Sequence, residues 1–249
     1  MDFHSSDVNT LFAFVDVRHK FNKVVNNYFG LIKKQKYILL RHVKSVFIFT
    51  YRDNLSKIGE IIISSVVNVK NELSKRSIRK NPSDTVKNAI LKSKMDKLFE
   101  EWGKLDKEDF QYFKNMLLKD FPLIELLNNE DKLKDFDSSY TQKANEIVNN
   151  KIEEFIKFFE VLEDSPNLNQ VKVKGWYKKI KDMKLNNFHI YTEHKDEDIR
   201  LSSEFITYCE DRHIPLNFGS IDENLVDSLK FVTKEENIKC GKIIWLLED

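Results

Sequence analysis

Apolar residues along the last third of this chain follow two alternating patterns, one typical of short strands and the other of amphipathic helices. Strands are predicted at 187–192 (NFHIYT), 214–218 (IPLNF) and 242–247 (KIIWLL), with helical periodicity at 199–209 and 224–233 between them. Strands that alternate with helices at this spacing favour a parallel sheet, because each helix carries the chain back to begin the next strand.

The first part of the chain indicates two further buried strands. Residues 11–15 (LFAFV) form an apolar run that we interpret as a strand ending at Asp16, with a helix as the competing interpretation. Residues 60–67 (EIIISSVV) are dense in β-branched side chains and follow Gly59, which is typical of a fully buried parallel strand.

Helical periodicity occupies the stretches around these two predicted strands. Helices are predicted over 19–30 and 37–57, although residues 45–51 (SVFIFTY) are equally compatible with a strand. After the second predicted strand, apolar residues at helical spacing place Glu72 about two turns inside a further helix.

The middle of the chain is predicted to be helical throughout. Asp84 is a suitable N-cap, amphipathic stretches continue to about Asp164, and Pro166 marks the exit. We therefore predict an α/β fold, a parallel sheet flanked by helices with a large all-helical insertion. The expected single domain comprises an N-terminal α/β half (1–80), the insertion (81–166) and a C-terminal α/β half (167–249).

Composition excludes several classes of function. Among 249 residues, 41 Lys and Arg nearly cancel 40 Asp and Glu, so no net field drives the molecule towards nucleic acid or an anionic membrane. Cys209 and Cys240 are too few for a disulfide framework or a structural zinc site. No Gly-rich phosphate loop and no His-Glu-x-x-His pattern occurs, which argues against an ATPase, a dinucleotide enzyme and a zinc enzyme. With neither a leader nor a membrane-spanning run, we expect a cytoplasmic protein without membrane contact.

Two acidic residues are predicted at the same edge of the sheet. Asp198 would open a helix just past a strand, and Asp222 would follow the carboxyl end of the next strand. The carboxyl ends of parallel strands lie together at the crevice where α/β proteins bind ligands. Carboxylates that converge there repel each other unless a cation lies between them, and oxygen ligands suit Mg²⁺ or Mn²⁺. The competing interpretation is structural, since an Asp at a helix start is often only an N-cap.

The order of acidic residues resembles that of the PIN domain family. Its members have an Asp after the first strand, a Glu in the helix after the second, an Asp opening a late helix, and Ser/Thr-x-Asp after the following strand. Here Ser-Ile-Asp at 220–222 matches the last element, Asp198 the third, and Glu72 resembles the second. Asp16 takes the first position, although the family's usual Asp-Thr-Asn is here Asp-Val-Arg.

This resemblance implies a nuclease that uses Mg²⁺ or Mn²⁺ to cut nucleic acid, with RNA as the expected substrate. Such an ion activates water and stabilises charge on the phosphodiester. Ser220 would support the site through its hydroxyl, and Asp196 would join it through a water molecule. The implied metal ligands are Asp16, Glu72, Asp198 and Asp222.

A basic and aromatic stretch precedes Asp198. Trp176 and Tyr177 lie among lysines that we interpret as phosphate contacts beside stacking platforms for single-stranded nucleic acid. An equally acceptable interpretation is a solvated helix face over buried aromatic side chains. The lysines are Lys172, Lys174, Lys178, Lys179, Lys181 and Lys184.

Two other functions are compatible with the sequence. The altered first motif favours a catalytically silent relative, an interaction module in a larger assembly whose helical insertion binds a protein partner. The third hypothesis is a purely helical regulatory or scaffold protein, in which the predicted strands are buried helix segments.

Overall fold

The computed structural model describes residues 3–15, 19–32, 35–75, 82–102, 117–159, 163–186 and 196–248. Most of these residues are helical, and the strands are short. The strands are β1 (Phe3–Ser6), β2 (Lys36–Leu39), β3 (Glu163–Asp164), β4 (Leu216–Ser220) and β5 (Ile243–Trp245). The helices are α1 (Val8–Val15), α2 (Asn22–Ile32), α3 (Arg41–Lys75), α4 (Asp84–Trp102), α5 (Leu123–Asn128), α6 (Glu130–Lys134), α7 (Phe136–Phe159), α8 (Gln170–Asn186), α9 (Asp196–Arg212) and α10 (Glu223–Glu235).

The described strands form one parallel sheet in the order β3-β2-β1-β4-β5. β1 is central and pairs with β4 in a register that sets Phe3 opposite Leu216 and Ser6 opposite Gly219. The chain leaves β1 towards β2 on one side and later adds β4 on the other, so a topological switch point lies between β1 and β4. The predicted mixed α/β class with a parallel sheet is confirmed, and the purely helical hypothesis is wrong.

An aromatic cluster covers one face of the sheet. Tyr37 of β2 lies 5.1 Å from Phe155 of α7, between ring centroids, and Phe14 of α1 lies 5.0 Å from Phe29 of α2. Phe14 and Phe29 also contact Phe155, so the four rings are continuous. These contacts hold α1, α2 and the end of α7 against the same side of the strands.

The opposite face of the sheet packs against α9. Tyr37 is in register with His4, and His4 with Asn217, so the next residue of β4, Phe218, points to the other side. Phe218 contacts Phe205 of α9 with 5.2 Å between ring centroids. Helices therefore cover both faces around β1, as a central parallel strand requires.

The central strand is unusually polar for this position. His4, Ser5 and Ser6 of β1 are all buried. Central strands of parallel sheets are ordinarily runs of Val, Ile and Leu because both of their faces are covered. Burying polar side chains costs free energy unless they find hydrogen-bond partners, so the composition of β1 indicates a requirement other than packing.

The chain divides into two compact units. Unit 1 comprises Met1–Phe49 and Lys151–Asp249 and contains the sheet. Unit 2 comprises Thr50–Asn150, and its described secondary structure is helical, from the later part of α3 to the first part of α7. The insertion predicted from sequence, 81–166, begins and ends later in the chain than unit 2.

Both strands predicted in the first part of the chain are helical. Residues 11–15 lie in α1, which is the interpretation that the sequence had left as a competitor, and residues 60–67 lie in α3. The buried positions of α3 include Leu55, Ile58 and Ile62, at spacings of three and four residues. The β-branched run is therefore one part of a longer amphipathic stripe, which a window of eight residues is too short to reveal.

Most other predicted elements of unit 1 are confirmed with small shifts in their ends. The helix predicted over 37–57 is correct only from Arg41, because β2 occupies the residues before it. The helices predicted at 19–30, 199–209 and 224–233 correspond to α2, α9 and α10, and the last two predicted strands to β4 and β5. The strand predicted at 187–192 lies outside the described residues. Among the described helices, none is long and apolar enough to cross a membrane.

Candidate functional site

Asp7 follows β1 directly and caps the start of α1. Its Oδ2 accepts a hydrogen bond from the backbone N–H of Asn9 at 3.2 Å, and its Oδ1 accepts one from the N–H of Thr10 at 3.1 Å. Only 3% of Asp7 is exposed. In doubly wound sheets these N–H groups commonly bind the phosphates of a nucleotide. Here a carboxylate of the protein itself fills that anion site.

The predicted Ser-Ile-Asp motif lies at the end of β4, on the other side of the switch point. Asp222 is the N-cap of α10, and its Oδ1 accepts a hydrogen bond from the N–H of Leu225 at 3.2 Å. Ser220 Oγ accepts the Asp222 backbone N–H at 2.9 Å, and the Ser220 hydroxyl also hydrogen-bonds to Asp7. The predicted position of Asp222 past a strand end is confirmed, and the N-cap interpretation also applies to it.

Thr10 connects these two strand ends. It lies in the first turn of α1, is fully buried, and its Oγ1 accepts the backbone N–H of Ile221 at 3.1 Å. The side chain of Thr10 also hydrogen-bonds to Asp7. A single hydroxyl therefore touches both the carboxylate after β1 and the loop that carries Asp222.

Asp7 is held in an environment that disfavours its charge. Burial is the largest influence and raises the pKa of the Asp7 carboxyl to about 6, although hydrogen bonds from Thr10 oppose it. The negative charge of Asp222 raises the pKa of Asp7 as well, so the two carboxylates are close enough to repel each other. Asn caps a helix as well as Asp does, without this repulsion. Capping alone therefore does not account for a carboxyl group at this position.

Two tyrosines, the buried Tyr37 and the half-buried Tyr28, lie behind the switch point. The hydroxyl of Tyr37 and Oγ of Ser6 are 2.5 Å apart, and Tyr28 Oη lies 3.2 Å from Nδ1 of His4. Burial raises the pKa of both Tyr37 and Tyr28 far above the usual range, so both phenols stay protonated at neutral pH. They supply hydroxyl groups to polar β1 without adding negative charge beside Asp7.

Asp198 and Asp196 lie in the first turn of α9. Burial lowers the pKa of His42 and Arg200 lowers it further, while the charges of Glu197 and Asp198 raise it. Asp198 is therefore near His42, which stands at the start of α3 just after β2. A helix begins here as predicted, although at Asp196 and not at Asp198, and the strand predicted before it lies outside the described residues. His42 follows β2, and Asp222 follows β4 on the other side of β1.

Glu72 has a different setting from the predicted one. It lies in unit 2 near the end of α3, and its carboxylate forms an ion pair with Lys94 of α4. The prediction that a strand precedes its helix is wrong, because residues 60–67 belong to α3 itself.

The four predicted carboxylates are not assembled by the part of the chain that is described. Asp16 lies outside it. Within the described ranges, no group of three or more His, Cys, Asp or Glu side chains is arranged to hold a metal ion. What the structure brings together at the switch point is a pair, Asp7 and Asp222, with Ser220 and Thr10 between them.

The lysine-rich stretch forms α8, and part of it is occupied by contacts within the protein. Lys172 Nζ lies 2.6 Å from Asp211 Oδ1, and Trp176 Nε1 donates a hydrogen bond to Glu210 Oε2 at 2.9 Å. Lys179 forms an ion pair with Glu236, and its Nζ also lies over the Trp176 ring. For Lys172, Trp176 and Lys179 the structural interpretation is therefore the better one.

Three lysines of α8 point to solvent, and we call them the lysine face: Lys174, Lys178 and Lys181. They follow the i, i+4, i+7 spacing of one helical surface and are all exposed. None of them forms an ion pair with a described residue. Lys181 Nζ also lies 5.6 Å from the ring centroid of Tyr177. The side chain of Lys184 lies outside the described part.

Asp7 is the residue that sequence reasoning missed. The strand before it, FHSS, has no apolar run, and the apolar residues that follow were assigned to a strand. The available signal was the N-cap pattern, an Asp immediately before the helical stretch VNTLFAFV.

Comparisons of the chain with models of protein families, with curated proteins and with solved structures find no match. A fold of this class supports many activities. The function is therefore argued from the groups at the switch point.

Proposed function

We propose that the protein is a PIN-like nuclease that hydrolyses phosphodiester bonds in RNA with a divalent cation held between Asp7 and Asp222. The observation that carries this proposal is the buried carboxyl of Asp7 at the switch point, connected by Thr10 and Ser220 to the loop that carries Asp222. Asp7 takes the first position of the family pattern in place of Asp16. The sequence Asp-Val-Asn at 7–9 keeps two of the three residues of Asp-Thr-Asn.

The donor groups at this site suit Mg²⁺ or Mn²⁺. These ions are commonly held by one or two carboxylates, with water molecules and substrate phosphates completing the coordination. Asp7 and Asp222 supply the carboxylates. Asp222 caps α10 through its Oδ1. A cation would share the oxygens of Asp7 with the N–H groups and hydroxyls that bind them in this structure. When bound, such an ion polarises a phosphodiester and lowers the pKa of a coordinated water. Ser220 and Thr10 hydrogen-bond to the Asp7 carboxyl, and their hydroxyl oxygens accept backbone N–H groups of the loop that carries Asp222.

The local charge explains why a phosphate group would need this cation. Asp7 and Asp222 cap the helices that begin at the switch point, α1 and α10, so their N-terminal N–H groups are not open to an anion. Two carboxylates at the crevice would repel a phosphodiester. A divalent cation between them reverses the sign of that interaction.

The lysine face supplies the contacts to the RNA backbone in this proposal. Lys174, Lys178 and Lys181 extend along one exposed side of α8, and Tyr177 beside them offers a partly exposed ring for stacking. Lysines bind phosphates as point charges and read no sequence, so this surface would hold single-stranded RNA without sequence preference.

A second candidate is a catalytically silent, PIN-like interaction module. The observation that favours it is the pair of carboxylates at the switch point, where the family pattern has four. In this alternative the chain binds RNA or a protein partner, the latter through the helices of unit 2, without cutting RNA.

Substitution of the carboxylates separates the two candidates. Asp222→Asn and Asp7→Asn each keep an N-cap, so both variants should fold. Each should lose Mn²⁺-dependent cleavage of a labelled single-stranded RNA by a factor of about 100 or more, because an amide is a poor ligand for a hard cation. Asp137→Asn, a change in the exposed first turn of α7, should leave cleavage unchanged.

The wild-type chain is the decisive comparison. Cleavage that needs Mn²⁺ and is lost in both variants supports the nuclease. RNA binding by a wild-type chain that does not cleave RNA with Mn²⁺ or Mg²⁺ supports the silent module. Full activity of Asp222→Asn would exclude the proposed site.

A further inference from the structure

Thr10 uses its hydroxyl differently from other buried hydroxyls in the helices of this protein. Ser65, Ser203, Ser228 and Thr233 each donate a hydrogen bond to the carbonyl four residues earlier in their own helix, at 2.6–2.8 Å. That back-bonding is the usual local use of a helical Ser or Thr. The hydroxyl of Thr10 instead accepts an N–H from a residue 211 positions away.

The N–H that Thr10 accepts lies within the Ser-Ile-Asp motif. It belongs to Ile221, the residue between Ser220 and Asp222. The backbone N–H of Thr10 meanwhile donates to Asp7 Oδ1 at 3.1 Å. Thr10 thus binds Asp7 through its backbone N–H, at 3.1 Å, and through its side chain. Its hydroxyl oxygen also binds the Asp222 loop, at 3.1 Å.

We infer that Thr10 is a positioning residue whose hydroxyl holds the Asp222 loop against Asp7, so that the two carboxylates can share one cation. This inference rests on the proposed function, because it assigns Thr10 a role at the same site. Like charges at the ends of β1 and β4 repel each other, and the contact through Ile221 opposes their separation. Groups that orient metal ligands in this way commonly change metal affinity by factors of 10 to 100 when they are removed.

A set of three substitutions isolates the hydroxyl. Thr10→Val keeps the shape and removes the oxygen, Thr10→Ala removes both the oxygen and the methyl group, and Thr10→Ser keeps the oxygen. Thr207→Val is the matched control, because Thr207 is also fully buried in a helix and its hydroxyl has no hydrogen-bond partner among the described residues.

Two measurements on each variant test the inference. The first is the dissociation constant of Mn²⁺, from the signal of free Mn²⁺ in electron paramagnetic resonance. It should rise about tenfold or more for Thr10→Val and Thr10→Ala and remain within about threefold of wild type for Thr10→Ser and Thr207→Val. The second is the hydrogen-exchange rate of the Ile221 amide. Exchange should accelerate in the two variants that lack the hydroxyl and in neither of the others.

The outcomes distinguish the positioning role from the proposed function. If wild type does not bind Mn²⁺, the proposed cation site fails, while the Ile221 amide still reports whether Thr10 holds the loop. If wild type binds Mn²⁺ and Thr10→Val binds it equally well, the positioning role is wrong and the cation site stands. If Thr10→Val does not fold, the comparison of Thr10→Ala with Thr10→Ser decides, and equal Mn²⁺ affinities for these two overturn the inference.

Discussion

At the scale of single residues, the chain keeps an ionisable group in a setting that disfavours its charge. Asp7 is buried beside Asp222, and its pKa of about 6 means that the folded state holds a proton more tightly than the unfolded state does. The free energy of unfolding should therefore be highest, as far as this group is concerned, below pH 4. It should decrease as the pH rises from about 4 to about 6, while the folded state loses that proton.

The predicted result for Asp7→Asn is a more stable protein at pH 7. A rise from 3.8 to about 6 corresponds to about 3 kcal/mol, which is the upper limit of the expected gain. The gain should disappear at pH 4, where the wild-type carboxyl is protonated. Urea unfolding of both proteins at pH 4, 5, 6 and 7, in the presence of a chelator, measures it. A less stable variant at pH 7 would mean that the hydrogen bonds to ionised Asp7 outweigh its burial.

At the scale of secondary-structure elements, β1 depends on close contacts that its own sequence does not predict. Gly219 of β4 lies opposite Ser6, and a Cβ atom built on Gly219 would approach the ring of Tyr28 to 2.8 Å. Tyr28 in turn lies 3.2 Å from His4 of β1 through its hydroxyl. The absence of a side chain at Gly219 thus allows the half-buried Tyr28 to reach the central strand.

Two glycine substitutions should have opposite effects on stability. Gly219→Ala should lower the free energy of unfolding by about 1–3 kcal/mol, because the ring of Tyr28 must move. Gly175→Ala, in the exposed interior of α8 with no atom within 4 Å of the new Cβ, should raise it by about 0.5–1 kcal/mol. Thermal or urea unfolding checks both. A stable Gly219→Ala protein would show that α2 can shift away from the sheet at little cost.

The elements that sequence predicts correctly are those whose burial follows a simple period. β4, β5, α9 and α10 were found because apolar runs and helical stripes alternate regularly through that part of the chain. β1 could not be found in this way, because its buried side chains are polar. The run at 60–67 was misassigned because β-branched residues in a buried helix resemble a strand over a short window.

The candidate site was predictable only in part. Asp222 and Ser220 follow a recognisable strand, so their place at the carboxyl edge was correct. The partner of Asp222 could not be identified without the topology, because Asp7 becomes its neighbour only when β1 pairs with β4. Local pattern does not encode such a long-range pairing.

At the scale of the whole molecule, a net charge of +1 requires any attraction for RNA to be local. The lysine face provides such a surface. Lys174, Lys178 and Lys181 have no ion-pair partner among the described residues, whereas Lys172 and Lys179 on the same helix are neutralised. The overall balance of charge therefore conceals an uneven distribution on α8.

Charge reversal of the lysine face should weaken RNA binding in a salt-dependent way. Replacing Lys174, Lys178 and Lys181 by Glu removes three phosphate contacts, so the slope of log affinity against log salt should become less steep by about 2 for single-stranded RNA. Fluorescence anisotropy measures the affinity, and salt concentrations from about 50 to 200 mM are a suitable range. The control reverses three exposed lysines of unit 2, Lys92, Lys97 and Lys119, of which Lys97 pairs with Glu101 at 3.8 Å. Equal losses in both variants would show that net charge, and not this face, attracts RNA.

The pairing of β1 with β4 also governs when the site can exist. The hydrogen bond between Ile221 and Thr10 closes a loop of 211 residues, so neither carboxylate has its neighbour until the ribosome has passed β4. At about 5–20 residues per second, this delay is roughly 10–40 s after β1 emerges. A nascent chain that ends before Asp222 contains only one of the two carboxylates, Asp7, and cannot bind a shared cation. The protein therefore gains its proposed activity only after nearly all of this sequence has been translated.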